Sequence, residues 1–143
     1  MTAFTFWAIQ IPGWLLFFYL VAAQCTAAFS YQLGVRMGTQ EPAEQITEVG
    51  VALFWGFAFA DLFYAPILGL GLVGHALGSG WAPLVLGAAL GITAYWPIAS
   101  LATVKAARGA PGWSLPKEGQ YWVVLPIIAL WGLLGIYLLW TSV

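Results

Sequence analysis

The sequence predicts an all-α, polytopic membrane protein: a four-helix transmembrane bundle whose second and third helices are kinked. Three observations carry this. The chain is 62% hydrophobic and only 6% charged over 143 residues, where soluble domains carry about a quarter charged residues. Its apolar runs are each long enough to cross a bilayer. Finally, the second and third of them hold internal prolines, Pro66 and Pro97.

The first run is expected from about Gly13 to Val35, with Phe4, Phe6 and Trp7 before it as interfacial residues. No Lys or Arg precedes Arg36, so the basic start of a signal peptide is missing. Ala22-Ala23-Gln24-Cys25 places Gln24 where a lipoprotein cleavage site needs a small residue. The expectation is therefore a retained membrane helix over Pro12 to Val35. A polar loop follows from Arg36 to Glu48, and Thr47 or Glu48 opens the second helix, acidic groups suiting its positive end. That helix runs from Val49 to Ala76, long enough to span with tilt or kink.

Leu77-Gly78-Ser79-Gly80 reads as a tight turn, and the third span as Trp81 to Val104. Lys105 to Glu118 is a second polar loop, broken by Pro111, Gly112 and Pro116. The fourth span runs from about Gly119 to Trp140. One domain over residues 1–143 accounts for the length.

Arg36, Lys105, Arg108 and Lys117 all fall in the loops after the first and third spans. The positive-inside rule then puts both loops in the cytoplasm and both termini outside, in a cytoplasmic or inner membrane. Trp7, Trp14, Trp81 and Trp140 mark the outer surface on this reading, and Trp55, Trp113 and Trp122 the inner one.

Asp61 organises the functional reading. A carboxyl group midway along an apolar span costs several kcal/mol unless something compensates it, about 3 kcal/mol on insertion scales. Counting from the inner helix ends, Asp61 lies roughly 18 Å up its span, Gln24 roughly 16 Å and Tyr95 roughly 13 Å. Tyr64 sits one turn beyond Asp61 on the same face. These residues, with Trp96, define an expected midplane pocket: Asp61, Tyr64, Tyr95, Gln24 and Trp96. The alternative is that each polar group bonds locally and holds helices together. No basic residue of the chain reaches Asp61, which leaves a protonated, hydrogen-bonded or hydrated carboxyl, or a cation from a ligand or partner subunit.

Pro66 and Pro97 leave the carbonyls of Leu62 and Thr93 without helical donors, so bends are expected there. Both sit in a Tyr-x-Pro-Ile tetrad, Tyr64 to Ile67 and Tyr95 to Ile98. Gly69-Leu70-Gly71-Leu72-Val73-Gly74 matches GxGxxG but lies inside a span, without the strand and helix opening that a dinucleotide site requires. With Gly56-x-x-x-Ala60, Gly87-x-x-x-Gly91 and Gly132-x-x-Gly135 it reads instead as small-residue seams.

Other chemistries lack their parts. His75 is the only histidine, too few for a bis-histidine haem and at a different depth from Asp61. An aspartyl-protease dyad needs a second intramembrane carboxylate. Cys25 is single, so a disulfide within the chain is excluded. No metal-ligand spacing stands out, no cofactor is named by the residues, and four basic residues give no nucleic-acid footprint.

Expected partners are the lipid bilayer, further copies in a homo-oligomer or a larger membrane complex, and a small lipophilic or cationic ligand. The leading function is binding, or binding and translocation, of that ligand at the Asp61 pocket, with Trp96 and Trp131 as walls for a flat apolar body. The alternative is an accessory subunit of a larger complex, associated with pigment or quinone. An intramembrane enzyme on a lipid-like substrate is the third reading, and the balance leans away from it because only Tyr64, Tyr95 and Gln24 are at hand to assist Asp61.

Overall fold

The computed structural model describes residues 2–142 and is all-helical over them. Helix α1 spans Ala3–Tyr19, started by Thr2, whose hydroxyl accepts the Thr5 N–H. A π-helical segment, Leu20–Cys25, and a short α2, Thr26–Phe29, continue the same rod. After α3, Tyr31–Arg36, and a single 3-10 turn, Ala43–Gln45, come three long helices. These are α4, Glu48–Ala76, α5, Ala82–Ala107, and α6, Glu118–Trp140. The rod Ala3–Phe29 and helices α4, α5 and α6 are each long and apolar enough to cross a membrane.

The first rod differs from the span expected over Gly13 to Val35. It begins at Ala3 and stops at Phe29, because Ser30 turns extended (φ −153°, ψ 104°) and its side chain accepts the Leu33 N–H to start α3. Phe4, Phe6 and Trp7 are therefore helical residues and not a flank. Thr47 caps α4 by accepting from Gly50 N at 3.0 Å. Gly78, at φ 66°, closes the turn between α4 and α5, where Ser79 N–H reaches Gly74 O at 2.9 Å. A side chain is strained in that left-handed conformation, so glycine belongs there.

Consecutive long helices pack side by side, α1 on α4, α4 on α5 and α5 on α6. Ile9, Leu20, Leu68, Leu72, Leu86 and Leu90 fill the shared core. Outward faces stay apolar too: Leu15, Phe63, Leu84, Ile127 and Trp140 are all exposed. A helix apolar all round is suited to a core or a membrane. Helices α4 and α5 run unbroken through Pro66 and Pro97.

Glycine sets the closest approaches, though not at every expected seam. A Cβ on Gly71 would stand 2.8 Å from Leu86 Cα, and one on Gly132 2.7 Å from the Ala94 nitrogen. Gly56 and Gly91, by contrast, face open space. The Gly71 and Gly132 contacts join α4 to α5 and α5 to α6, where small residues let backbones meet.

The two polar loops do not stand away from the bundle. Ile46, Phe54, Val104 and Leu115 form a second buried cluster, with Tyr31, Trp113 and Tyr121 against it. Gln40 and Glu41, in the middle of the first loop, are buried.

Candidate functional site

Helices α1 and α6 enclose the site. They meet near one end of the bundle, where Trp131 Nε1 donates to Ala8 O at 3.2 Å. Toward the polar loops a cavity of about 500 Å³ opens between them, backed by α4 and α5. Leu15 of α1 and Ile127 and Val124 of α6 line it while remaining exposed on the outer face of the bundle, so its side opens between these two helices. A volume of that size suits a drug-sized molecule, for which about 300–1,000 Å³ is usual.

Asp61 stands on the wall, 8% exposed and about 20 Å along α4 from its start. Among the described residues its carboxyl receives no hydrogen bond and forms no ion pair; a side chain reaches only its backbone oxygen, Cys25 Sγ at 4.0 Å. Around it the wall is aromatic and aliphatic: Phe57, Trp96, Trp131, Leu16 and Ile128. The Trp96 indole N–H is buried and has no acceptor among the described residues.

The end nearer the loops is polar. Gln24 lies in the π-helical segment, whose wider turn departs from α-helical spacing, as such segments do at many functional sites. Its Oε1 accepts from Gln40 Nε2 at 3.0 Å, and its amide reaches Tyr19 Oη at 3.5 Å. Ser100 also lines this end, although its hydroxyl is spent on Trp96 O at 2.8 Å. Glu41, 2% exposed, accepts the Lys117 backbone N–H on Oε1 at 3.1 Å. Lys117 Nζ lies 3.9 Å from Glu41 Oε2, which has no hydrogen bond among the described residues. Tyr31 Oη donates to Glu41 O at 2.9 Å; burial, with the Glu41 charge adding to it, pushes the Tyr31 phenol above its ordinary value.

Of the five residues expected in one pocket, Asp61, Gln24 and Trp96 line this cavity. Tyr64 and Tyr95 do not. Tyr64 is buried one turn beyond Asp61, and its hydroxyl bonds to Thr93. Thr93 gives its own proton to Ala89 O at 2.8 Å, so Tyr64 donates and Thr93 accepts. That bond ties α4 to α5 and leaves Tyr64 no free hydroxyl. Tyr95 is 72% exposed and points away from the bundle. Its depth was estimated from sequence; its direction was not, since α5 is apolar on every side and offers no stripe to orient it.

Sequence reasoning missed Tyr19, Gln40, Glu41 and Lys117. Nothing local separates Glu41 from Glu44, which the structure leaves exposed. His75 is also more engaged than its position suggested. Gln10 Nε2 donates to His75 Nδ1 at 2.9 Å and to Leu72 O at 3.0 Å, Trp14 Nε1 donates to Gln10 Oε1 at 2.8 Å, and Phe6 stacks on the imidazole. These bonds fasten α1 to α4 at the end far from the polar loops.

Compared with protein-family models, with curated proteins and with solved structures, the chain matches none of them.

Proposed function

We propose that this chain is an integral membrane protein that binds a small lipophilic cation in the cavity beside Asp61. The carrying observation is the Asp61 carboxyl, on the wall of a mostly apolar cavity with no donor among the described residues. In a bilayer such a group is costly unless paired. A ligand ammonium supplies the missing charge, and the aromatic side chains Tyr19, Trp96 and Trp131 that line the same cavity add a preference for cations. The opening between α1 and α6 faces lipid in this reading, so the ligand reaches the site from the membrane.

The four long helices span the bilayer, with bends at Pro66 and Pro97 where two carbonyls lose their helical donors. Arg36, Lys105, Arg108 and Lys117 keep the polar loops in the cytoplasm and both termini outside. A cavity of this size holds one molecule and not a continuous path. Translocation, as an extension of the binding role, therefore calls for a homo-oligomer, which a mass measurement after mild detergent extraction would reveal.

The binding test uses purified protein in nanodiscs, titrated with a tertiary naphthylmethylamine and its neutral hydroxymethyl analogue, and followed by tryptophan fluorescence. The amine should bind at least about tenfold tighter than the neutral analogue, a difference of about 1.4 kcal/mol. Asp61→Asn should remove that preference. Equal affinity for the two probes in the unmodified protein would reject the proposal.

A further inference from the structure

The same cavity holds a second carboxylate that the binding of one cation does not use. Glu41 lines it at the loop end, 2% exposed, with Oε2 buried and without a hydrogen bond among the described residues. Its Oε1 accepts from the Lys117 backbone at 3.1 Å. A cationic neighbour, Lys117 Nζ, stands off at 3.9 Å from Oε2 on a side chain that is 45% exposed. A charge-assisted N–H···O bond is about 2.7–2.9 Å long, so this pair is loose, and the lysine has solvent to move into.

Asp61 and Glu41 line the same cavity at different depths. Glu41 is held at the residue preceding α6, whereas Asp61 is about 20 Å along α4 from the same end of the bundle. The wall along α6 runs from Gln120 to Trp131, on the order of 16 Å. One ammonium group cannot serve both acids. Between them lie Phe54, Phe57, Val124 and Leu125, a surface for hydrocarbon and not for charge.

We infer that the molecule held here is a dication: two ammonium groups joined by an apolar spacer, one paired with Asp61 and the other with Glu41. Long-chain diamines and bis-quaternary ammonium compounds have this form. Lys117 stands in for the second ammonium when the site is empty and gives way to it on binding. The inference rests on the proposed role of Asp61 and adds a length requirement to it.

The test compares dodecylamine, the twelve-carbon terminal diamine and putrescine on the protein in nanodiscs, with empty nanodiscs as the blank. The long diamine should bind about tenfold tighter than dodecylamine, and putrescine, too short to bridge, should gain nothing from its second amine. Glu41→Gln should erase the diamine's advantage over dodecylamine. Lys117→Met, which removes the stand-in cation, should increase the advantage.

The opposite signs separate a ligand contact from a structural latch. If Glu41 and Lys117 only fasten the two loops together, both variants break the same latch and shift the diamine in the same direction, which would overturn the inference. Equal affinities of diamine and monoamine in the unmodified protein would overturn it too. Absence of dodecylamine binding in the unmodified protein would instead strike at the role of Asp61, and the dication would fall with it.

Discussion

Gln40, in the loop before α4, donates its side-chain amide to Gln24 Oε1 at 3.0 Å and so inserts a loop residue into the interior of the bundle. Gln40 is buried, and its aliphatic stem lies over Gly34, where a Cβ would meet Gln40 Cγ at 2.7 Å. The loop end of the cavity is therefore built by chain that hydropathy alone assigns to water. Replacing either glutamine by leucine should cost about 1 kcal/mol, the usual net worth of one hydrogen bond. The double replacement should cost less than the two single ones summed, as expected for partners in contact. Thermal unfolding in detergent measures this; strict additivity would show that the two side chains act independently.

The Tyr64–Thr93 bond predicts a different kind of loss. Thr93→Val keeps the shape of a residue that is fully buried but removes the acceptor for the Tyr64 hydroxyl. A cost of about 1 kcal/mol is expected for an interhelical bond of this type. Ligand binding should be unchanged, because neither residue lines the cavity. A large change in amine affinity with unaltered stability would place Tyr64 back in the site.

Glycine replacements test the packing directly. Gly71→Leu would drive a side chain into the Leu86 backbone, 2.8 Å from where a Cβ would sit, and backbone has little room to yield. Overpacking of this kind costs about 1–3 kcal/mol. Gly91→Leu should lie within about 0.5 kcal/mol of the unmodified protein, since nothing stands near its position. Similar melting temperatures for the two variants would contradict the observed helix contacts.

These comparisons mark what sequence could and could not supply. An acid inside an apolar run is visible without coordinates, and Asp61 lines the cavity. That four helices are long and apolar is equally legible, because length and hydropathy are properties of contiguous residues, although the first begins at Ala3 and not near Gly13. Direction is not. When a helix is apolar all round, periodicity no longer tells which face turns inward, and Tyr95 was assigned to the pocket although it faces out. Tyr64, on the face of Asp61, was displaced by a nearer partner, Thr93, on a neighbouring helix. Glu41 escaped for the opposite reason: a polar loop reads as solvated, and the backbone N–H that it accepts belongs to Lys117, 76 residues away. Seams of small residues showed where contact is permitted, while only the fold decides which of them, Gly71 and not Gly91, is used.

Orientation has its own test. With Cys25 replaced by alanine, a cysteine introduced at Ala110 should react with an impermeant thiol reagent only from the cytoplasmic side. One at Ser79 should react only from outside, because all four basic residues lie toward the other end of the helices. Labelling of Ser79→Cys from the cytoplasm would invert the topology while leaving the cavity geometry as it is.

The last prediction joins stability to binding at Asp61. An unpaired carboxyl in a mostly buried position costs folding free energy, because burial of a polar group is unfavourable until something bonds to it. Asp61→Asn removes the ionisable group at nearly the same volume. Without ligand the variant should therefore unfold at a temperature equal to or above that of the unmodified protein, an increase expected where a site is built for function at the expense of stability. With a lipophilic amine present the order should reverse. At a ligand concentration a hundred times the dissociation constant, binding adds about 2.7 kcal/mol to the unmodified protein, and the asparagine variant should gain little of this. The crossing of the two melting curves as amine is added is the signature sought. If Asp61→Asn were less stable without ligand, and were then stabilised by amine as much as the unmodified protein, Asp61 would be a structural acid with no part in binding.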